Sequence, residues 1–440
     1  MLPYTRRRAL TLAGAAAVLS ACAATEQRAP ATGPSAGPVP RPGRLFAETA
    51  AGLAVADLAT GRVRAAYPGA VAEARWARLY QLDDGHLRTF QASDGALVDD
   101  VRARVPETGD PVIKAVSTEL AALGPPPGPR RRTTIVVATA GGGRRTLDLD
   151  GNIEPEAFSA DGQTMYVLDR LPPAAPDHYR VRMYDLVRGT MGALQTRDKQ
   201  QIPPGQEEEM RGQGRQAVLD PGQNILYTLY THQDAHLHTR DLAAGHDLSP
   251  GVHAFVHVLH LEQRWAYCLD LPAPFGLGPA ASHTLALADG RLYVFDASTG
   301  RAVVASTETL TIERSALLGK LTGEARAGEA RTGEAHTDEA YAGQADQGQA
   351  RAGEAYAVAG GGGLYLAAGT RLTAADAGTL ALRATWTLPG QARGLAFLEG
   401  ELLAGAGEQV LRLDPATGAR LAAVPLPGLR TLRHAEHTTR

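Results

Sequence analysis

From about residue 44 onward, the sequence repeats one short pattern: an apolar strand that ends in Asp, followed by a turn that closes on Gly. Clear copies occupy residues 53–61, 182–189 and 410–418, and weaker ones occupy residues 91–95 and 374–379. The Asp side chain can accept hydrogen bonds from backbone amides of its own turn, and Gly tolerates the positive φ that ends it. No long amphipathic helix interrupts these runs, so the sequence predicts an all-β domain.

A second pattern recurs in phase with the first and sets the size of the repeating unit. Phe158-Ser159-Ala160-Asp161-Gly162 precedes the strand-like residues 165–168, and related segments precede residues 292–295 and 402–403. The combined unit is four strands in about 40–50 residues, the size of one β-propeller blade. One unit cannot bury both of its faces alone, so the units are expected to pack around a ring. We therefore predict a single β-propeller of four-stranded blades over residues 46–440.

A family resemblance rests on the same residues. The segment SADGQTMYV at residues 159–167, with the Asp–Thr–Gly turns, resembles the YVTN and WD40-like β-propellers of exported bacterial proteins. The resemblance extends over nearly all of residues 46–440 and implies the propeller fold. That group contains binding proteins, scaffolds and a minority of enzymes, so the resemblance assigns no catalytic residue.

The length of the repeating region limits the number of blades. Outside residues 1–45 and 319–357, the chain is long enough for seven or eight blades of about 45–50 residues each. We expect seven, with eight possible, because residues 99–132 are too irregular to be assigned as a blade of their own. Residues 45–67 are expected to supply the later strands of one blade and residues 429–434 its first strand, which would close the ring and remove an open sheet edge.

The N-terminal segment predicts where the protein works. Residues 1–22 combine a basic start at residues 6–8 with a short apolar run at residues 9–19, which is typical of a secretory signal. Its end, Leu19-Ser20-Ala21-Cys22, resembles a bacterial lipobox, in which the cysteine is acylated and becomes the new N-terminus. We therefore predict an exported lipoprotein, anchored through Cys22 to the outer face of the cytoplasmic membrane. A plain secretory signal with a coincidental cysteine is the alternative.

Two segments are expected to lie outside the folded ring. Residues 23–45 are rich in Ala, Pro and Gly and cannot bury enough apolar area to offset their ordering entropy, so they are predicted to form a disordered tether. Residues 5–10 also resemble a twin-arginine export motif, which leaves the export route open. The insert at residues 319–357 contains a five-residue repeat that fits neither a helical nor a strand period, and it is predicted to be a disordered low-complexity loop.

Histidine is the residue type that clusters, with seven copies in residues 232–260. One hypothesis is a metal site with His232, His236 and His238 as ligands, since imidazole is a common ligand of transition metals. The alternative, which we favour, is a long polar loop followed by a strand at residues 255–261. His257 and His260 have opposite parity on that strand and should lie on opposite faces. We expect no resident cofactor.

The cysteine content and the net charge argue against several kinds of site and partner. The chain contains two cysteines, Cys22 and Cys268, so acylation of the first leaves neither a disulfide framework nor a cysteine-based metal site. Cys268 lies in an apolar strand-like run and is expected to be a buried thiol. The formal net charge is −3, and no strongly basic domain indicates a nucleic-acid partner. The acidic run at residues 207–209 is expected to be a solvated loop.

These observations favour a monomeric binding or scaffold module over an enzyme. Its expected partners are the membrane, through the lipid anchor, and an extracytoplasmic protein or small ligand. The sequence shows no catalytic constellation, so no catalytic residue is assigned. The alternative is an exported propeller enzyme of lactonase-like or quinoprotein-like type, or a metal-dependent site at the histidines. The three tryptophans are fewer than one per blade, which disfavours a tryptophan-docked quinoprotein ring.

Overall fold

The computed structural model describes residues 42–103, 111–203, 206–232, 253–321 and 354–438. Within these ranges the chain forms eight antiparallel sheets, each with four consecutively paired strands or, in one case, four and a fifth at the edge. Counted from the ring axis outward, each sheet has an inner, a second, a third and an outer strand. We number these sheets as blades 1 to 8 in chain order.

The first four blades have the following strands. Blade 1 contains β1 (Gly43–Thr49), β2 (Gly52–Asp57) and β3 (Val63–Tyr67), with β33 (Leu429–His437) as its inner strand. Blade 2 contains β4 (Val71–Ala72), β5 (Arg78–Asp83), β6 (His86–Gln91) and β7 (Leu97–Arg102). Blade 3 contains β8 (Val112–Val116), β9 (Leu120–Gly124), β10 (Arg132–Thr139) and β11 (Arg144–Asp150). Blade 4 contains β12 (Asn152–Phe158), β13 (Thr164–Leu171), β14 (His178–Asp185) and β15 (Thr190–Ala193).

The second half of the ring continues the pattern. Blade 5 contains β17 (Gln213–Asp220), β18 (Ile225–Thr231), β19 (Ala254–His260) and β20 (Trp265–Asp270), with β16 (Gln195–Thr196) parallel at its outer edge. A 3₁₀-helix, Ala280–Ser282, precedes blade 6, which contains β21 (His283–Ala288), β22 (Arg291–Asp296), β23 (Arg301–Ser306) and β24 (Ile312–Leu317). Blade 7 contains β25 (Ala355–Gly360), β26 (Gly363–Ala368), β27 (Arg371–Asp376) and β28 (Leu382–Thr387). Blade 8 contains β29 (Ala392–Leu398), β30 (Glu401–Ala406), β31 (Gln409–Leu413) and β32 (Arg420–Pro425).

The apolar core is divided among the interfaces between neighbouring blades. Leu45 packs in a cluster with Leu403 of blade 8, whereas the adjacent Phe46 packs with Leu79 of blade 2. Successive side chains of a strand point to opposite faces, so each blade contributes to two interfaces. In the described ranges there are eight such clusters, one for every pair of neighbouring blades including blades 8 and 1. The sheets therefore form a closed β-propeller, which confirms the predicted all-β class and four-stranded blades.

The expected number of seven blades was wrong, because the described residues form eight. The irregular residues 99–132 contain the end of β7 and the first two strands of blade 3. All five residues of β9 are buried, so this strand lacks the alternation that marks a half-exposed strand in a sequence. The inner strand of blade 2, β4, is two residues long and gives an equally weak signal.

The repeated Asp–Gly pattern has the structural role that the sequence predicts. Asp414 ends the third strand of blade 8, and its Oδ1 accepts hydrogen bonds from the amides of Ala416 and Thr417 at 3.0 and 2.8 Å. Gly418 then adopts a φ of 70°, where a Cβ atom would also lie 2.3 Å from the indole of Trp386. In the equivalent turn of blade 7, the backbone amide and hydroxyl of Thr379, together with a nearby arginine, lower the pKa of Asp376 to about 2.

The ring is closed by pairing of the two ends of the described chain. β1 pairs with β33 in antiparallel register, with Leu45 opposite Ala435, as predicted. Arg44 and Glu436 form an ion pair across this seam at 2.6 Å. His434 of β33 stacks on Trp76 of blade 2, with ring centroids 5.3 Å apart. The closing strand therefore holds blade 1 together and also contacts the next blade.

Several sequence predictions concern residues at or beyond the limits of the described ranges. Residues 1–41 and 322–353 lie outside them, so the signal, most of the tether and the repeat insert remain predictions. β1 begins at Gly43, within the segment predicted as the tether, and β25 begins at Ala355, within the segment predicted as the insert. Cys268 is buried with 2% of its surface exposed, as expected. No helix in the described ranges is long and apolar enough to cross a membrane.

Deletion of residues 429–440 should destabilise the whole ring. It removes Leu429 and Leu432, which are buried, and exposes the pairing edge of β1. Burial of each leucine contributes roughly 2 kcal/mol, in a domain whose total stability is about 5–15 kcal/mol. We expect a melting temperature lower by about 5 °C or more, or loss of cooperative unfolding in a calorimetric scan, since 1 kcal/mol shifts it by about 1–2 °C in a domain of this size. Deletion of residues 438–440 leaves β33 intact and is the matched control. Equal melting temperatures for the two truncations would contradict closure.

Candidate functional site

The structure describes one of the three candidate metal ligands. His232 directly follows β18, is exposed, and its Nδ1 lies 3.2 Å from the Thr231 hydroxyl. His236 and His238 lie outside the described residues, so the metal hypothesis stays a prediction for that segment. In the described ranges there is no group of three or more His, Cys, Asp or Glu residues arranged to hold a metal.

The two histidines of β19 lie on opposite faces, as their parity predicts. His257 packs edge-on against Tyr230, which belongs to the interface of blades 4 and 5. His260 packs against Trp265, which belongs to the interface of blades 5 and 6. Both histidines are buried. They are therefore parts of two different cores and cannot share a metal ion.

Ser282, His283 and Asp296 come together in blade 6 but do not form a catalytic triad. Ser282 Oγ donates a hydrogen bond to Asp296 Oδ1 at 2.8 Å. His283 Nδ1 lies 3.0 Å from the carbonyl oxygen of Pro279, so it carries the proton, while Nε2 accepts a hydrogen bond from the Gly276 amide. Both ring nitrogens are thus engaged, and burial lowers the pKa of His283. Since all three side chains are buried, the arrangement fastens the loop before blade 6 to its second strand.

The most unusual polar group lies at the inner edge of blades 3, 4 and 5. Glu154 of β12 accepts hydrogen bonds from Lys114 of β8 at 2.9 Å and from Arg170 of β13 at 2.8 Å. Each of the three side chains is at least 89% buried. Glu156 follows two residues later, and its Oε2 atom is inaccessible to solvent and has no hydrogen-bond partner. We call Lys114, Glu154, Glu156 and Arg170 the inner charge cluster.

β-Bulges place the charged side chains of these inner strands. The strand register shifts at Lys114 in β8, at Glu156 in β12 and at Arg215 in β17, so each of these residues is the extra one of a bulge. A bulge re-aims a side chain relative to the regular alternation of a strand. Arg215 uses this freedom to reach Glu354, which precedes the inner strand of blade 7, at 3.1 Å. Bulges in three neighbouring inner strands therefore re-aim charged side chains, two of which form ion pairs with residues of other blades.

The two glutamates of the cluster differ in their protonation. Burial opposes ionisation of Glu154, but the adjacent Arg170 and Lys114 charges outweigh it and hold the pKa of Glu154 below its usual range. For Glu156, burial raises the pKa to about 7, and the negative charge of Glu154 contributes in the same direction. One glutamate is thus a permanent anion, whereas the other can gain or lose a proton near neutral pH.

A cavity of about 40 Å³ adjoins the inner charge cluster, between blades 4 and 5. Tyr179 and Tyr230 form its aromatic wall, with ring centroids 5.7 Å apart, and the Tyr179 hydroxyl donates to the Gly212 carbonyl at 2.7 Å. The Arg170 guanidinium lies 5.8 Å from the Tyr179 ring centre. The space is sufficient for one or two water molecules or a small hydrogen-bonding group of a ligand. Its free acceptor is the carboxylate of Glu156.

A second charge network joins β13 and β14 of blade 4 to the segment that precedes blade 5. Glu207 pairs with Arg180 at 2.6 Å and with Arg182 at 2.8 Å, and Arg180 also pairs with Asp169 at 2.9 Å. The Glu207 side chain is 7% exposed. The expectation that residues 207–209 form a solvated acidic loop was therefore wrong for Glu207, because two arginines on β14 compensate its charge.

At the end of the ring where the inner strands finish, the side chain of Arg75 reaches across the ring axis. Arg75, in the turn between β4 and β5, donates a hydrogen bond to the Pro221 carbonyl in the turn between β17 and β18 at 3.1 Å. Blades 2 and 5 are thus connected across the channel at that end. The inner charge cluster lies toward the other end, where the inner strands begin.

Comparisons with known proteins support the fold and assign no site. No protein-family model matches the sequence, and no curated protein matches it. The structure of apo AztD from Citrobacter koseri is similar over 90% of this chain and 98% of that chain, with 11% identity and a TM-score of 0.50. Sqt1 from Saccharomyces cerevisiae covers 83% of this chain, and 86% of its own, at 10% identity and a TM-score of 0.45. BamB from Moraxella catarrhalis covers 82%, and 92% of its own, at 12% identity and a TM-score of 0.38. At 11% identity the likeness to AztD shows the fold alone.

Replacement of Glu156 by Gln should remove a pH-dependent loss of stability. Because the folded pKa of Glu156 is raised to about 7, the folded state binds the extra proton between about pH 4.5 and 7. The unfolding free energy of the wild type should therefore fall by about 1–3 kcal/mol as the pH rises from 5 to 8, relative to Glu156→Gln. Urea denaturation across this range measures the difference. Glu119→Gln, at an exposed glutamate, should keep the wild-type profile, and parallel profiles for all three proteins would disprove the raised pKa.

Proposed function

We propose that this chain is an exported, lipid-anchored β-propeller that binds a small ligand at the inner charge cluster. The observation that carries the proposal is the buried Oε2 atom of Glu156, which has no partner beside a charge network that is complete without it. Burial raises the pKa of Glu156 to about 7, so ionisation of this carboxyl at neutral pH lowers the stability of the fold. Groups kept at such a cost are concentrated at functional sites.

The chemistry of the cavity favours a ligand with a hydrogen-bond donor or a positive charge. Glu156 offers a carboxylate, and Tyr179 and Tyr230 offer aromatic surface that attracts cations. Lys114 and Arg170 are paired with Glu154 and hold that carboxylate in place, and the Arg170 charge also favours ionisation of Glu156. A donor group such as an ammonium or a hydroxyl would fill the cavity, and the rest of the ligand would lie toward the ring axis.

The arrangement supports binding better than catalysis. In the inner charge cluster, Glu156 Oε2 has no hydrogen-bond partner, while Lys114 and Arg170 both donate hydrogen bonds to Glu154. The Ser282, His283 and Asp296 group is buried, with both imidazole nitrogens occupied. Entry of the ligand from the end where the inner strands begin follows from the bridge that Arg75 makes at the opposite end.

The proposed location outside the cytoplasmic membrane rests on the sequence. The basic start, the short apolar run and Leu19-Ser20-Ala21-Cys22 support export and acylation of Cys22. The Ala, Pro and Gly content of the following residues supports a flexible tether. A monomer anchored in this way would present the end of its ring to soluble ligands or to an envelope protein.

Native mass spectrometry of the full chain tests the proposal. The protein is purified from washed membranes, where acylated Cys22 should retain it, whereas Cys22→Ala should shift it to the soluble fraction. It is then incubated with a fraction of envelope extract containing molecules below about 1 kDa, and bound adducts are weighed. We expect an adduct on the wild type and on Glu119→Gln, and at least a tenfold lower occupancy on Glu156→Gln. Absence of an adduct on the wild type, or equal adducts on all variants, would contradict ligand binding at this cluster.

A further inference from the structure

A second and larger cavity lies between blades 5 and 6, at the end of the ring opposite the inner charge cluster. Its volume is about 690 Å³, within the range of small-molecule sites. The turn after β17 and the turn after β19 form one side, where Gln223 and Gln263 lie. The turns after β21 and β23 form the other side, where Asp289 and Glu308 lie. We call this space the blade 5/6 cleft.

An additional strand builds the outer wall of the blade 5/6 cleft. β16 leaves blade 4 and pairs in parallel with β20, so that the following turn lies over the junction of the two blades. Arg197 of this turn donates hydrogen bonds to the carbonyl oxygens of Thr309, at 3.1 Å, and Glu308. Lys199 donates to the Gln263 carbonyl at 2.9 Å. The wall thus bridges blades 5 and 6 and makes the cleft a built feature of the fold.

Two buried aromatic side chains lie beneath the cleft, and only their edges are exposed to it. Trp265 and His260 pack together with ring centroids 5.2 Å apart, and both line the cleft. The Arg197 guanidinium lies 5.9 Å from the Trp265 ring centre. The indole Nε1 donates to Gln263 Oε1 at 3.1 Å, which holds that amide in a fixed orientation at the rim.

The charges of the cleft largely compensate one another. Arg291 pairs with Glu313 at 3.0 Å, and Arg197 is engaged by backbone carbonyls. Asp289 and Glu308 add two exposed carboxylates. A strongly charged ligand would therefore meet groups of both signs. A neutral ligand with many hydroxyl groups fits better, because carboxylates and amides can each bind a pair of adjacent hydroxyls.

We infer that the blade 5/6 cleft binds a neutral oligosaccharide of about three or four sugar rings. Asp289, Glu308 and the two glutamine amides would bind the hydroxyl groups, and the wall at Arg197 would close the outer end of the site. This site is separate from the inner charge cluster, so it does not depend on the proposed function. It adds a glycan contact to the opposite end of the same ring.

Isothermal titration of the full chain with neutral tetrasaccharides tests the inference. The protein is held in a sugar-free detergent, and the probes are cellotetraose, maltotetraose and tetra-N-acetylchitotetraose. We expect at least one probe to bind the wild type, and Arg197→Ala and Asp289→Asn each to weaken that binding tenfold or more. Asp289 lies in a two-residue turn with a φ of 49°, which Asn also tolerates, so this variant keeps the fold even where Arg197→Ala does not.

The matched control is Asp84→Asn. Asp84 has a φ of 47° and precedes Gly85 at 71°, as Asp289 precedes Gly290 at 71°, but it lies in blade 2 away from the cleft. Its affinity should equal that of the wild type. Failure of all three sugars to bind the wild type, or equal affinities for the cleft variants and the control, would overturn the inference. Sugar binding that is lost in Glu156→Gln and kept in both cleft variants would also overturn it, and would assign the sugar to the inner charge cluster instead.

Discussion

The structure depends on the burial of both faces of every blade. Leu45 and Phe46 are adjacent, fully buried, and packed against different neighbouring blades. A sheet with two apolar faces needs a cover on each side, and a row of such sheets leaves two uncovered faces unless it closes on itself. Pairing of β1 with β33 closes it, and the Arg44–Glu436 ion pair and the His434–Trp76 stack lie at the same seam. The apolar faces of all eight blades are therefore covered only when the ring is closed.

The inner charge cluster is a consequence of that ring. Lys114, Glu154 and Glu156 belong to inner strands that the ring brings side by side near its axis, where neighbouring strands converge and β-bulges are tolerated. The surrounding apolar interface desolvates these groups, so Glu154 keeps its charge only because two cations contact it, and the Glu156 carboxyl titrates near neutral pH. The ring thus holds these side chains in fixed positions in an apolar environment. Of the two glutamates, Glu156 has an oxygen that makes no hydrogen bond within the ring.

Much of the fold could be predicted from the sequence, because it is encoded locally. The turn at Asp414 follows from the ability of a side chain to bind the amides of its own turn, and the closing strand follows from a fragment of the repeat at each end. The number of blades was missed because the fully buried β9 has no alternating pattern. The candidate site was missed for a different reason. In the sequence, Glu154 and Glu156 are simply two carboxylates in one strand. Their different environments arise because the fold brings Lys114, forty residues earlier, beside Glu154, and because a bulge that no local pattern marks re-aims Glu156.

The central claim is that the ring buries the Glu156 carboxyl group and leaves its Oε2 atom without a hydrogen-bond partner in the protein. Carboxyl carbon NMR of the full chain, labelled with ¹³C at the glutamate side chains, tests it most directly. Comparison with Glu156→Gln identifies the signal, and a pH titration without added ligand gives its pKa. The account predicts that this signal titrates near pH 7. Titration below pH 5, within the ordinary range of glutamate, would show that Glu156 is solvated or paired and would contradict the account.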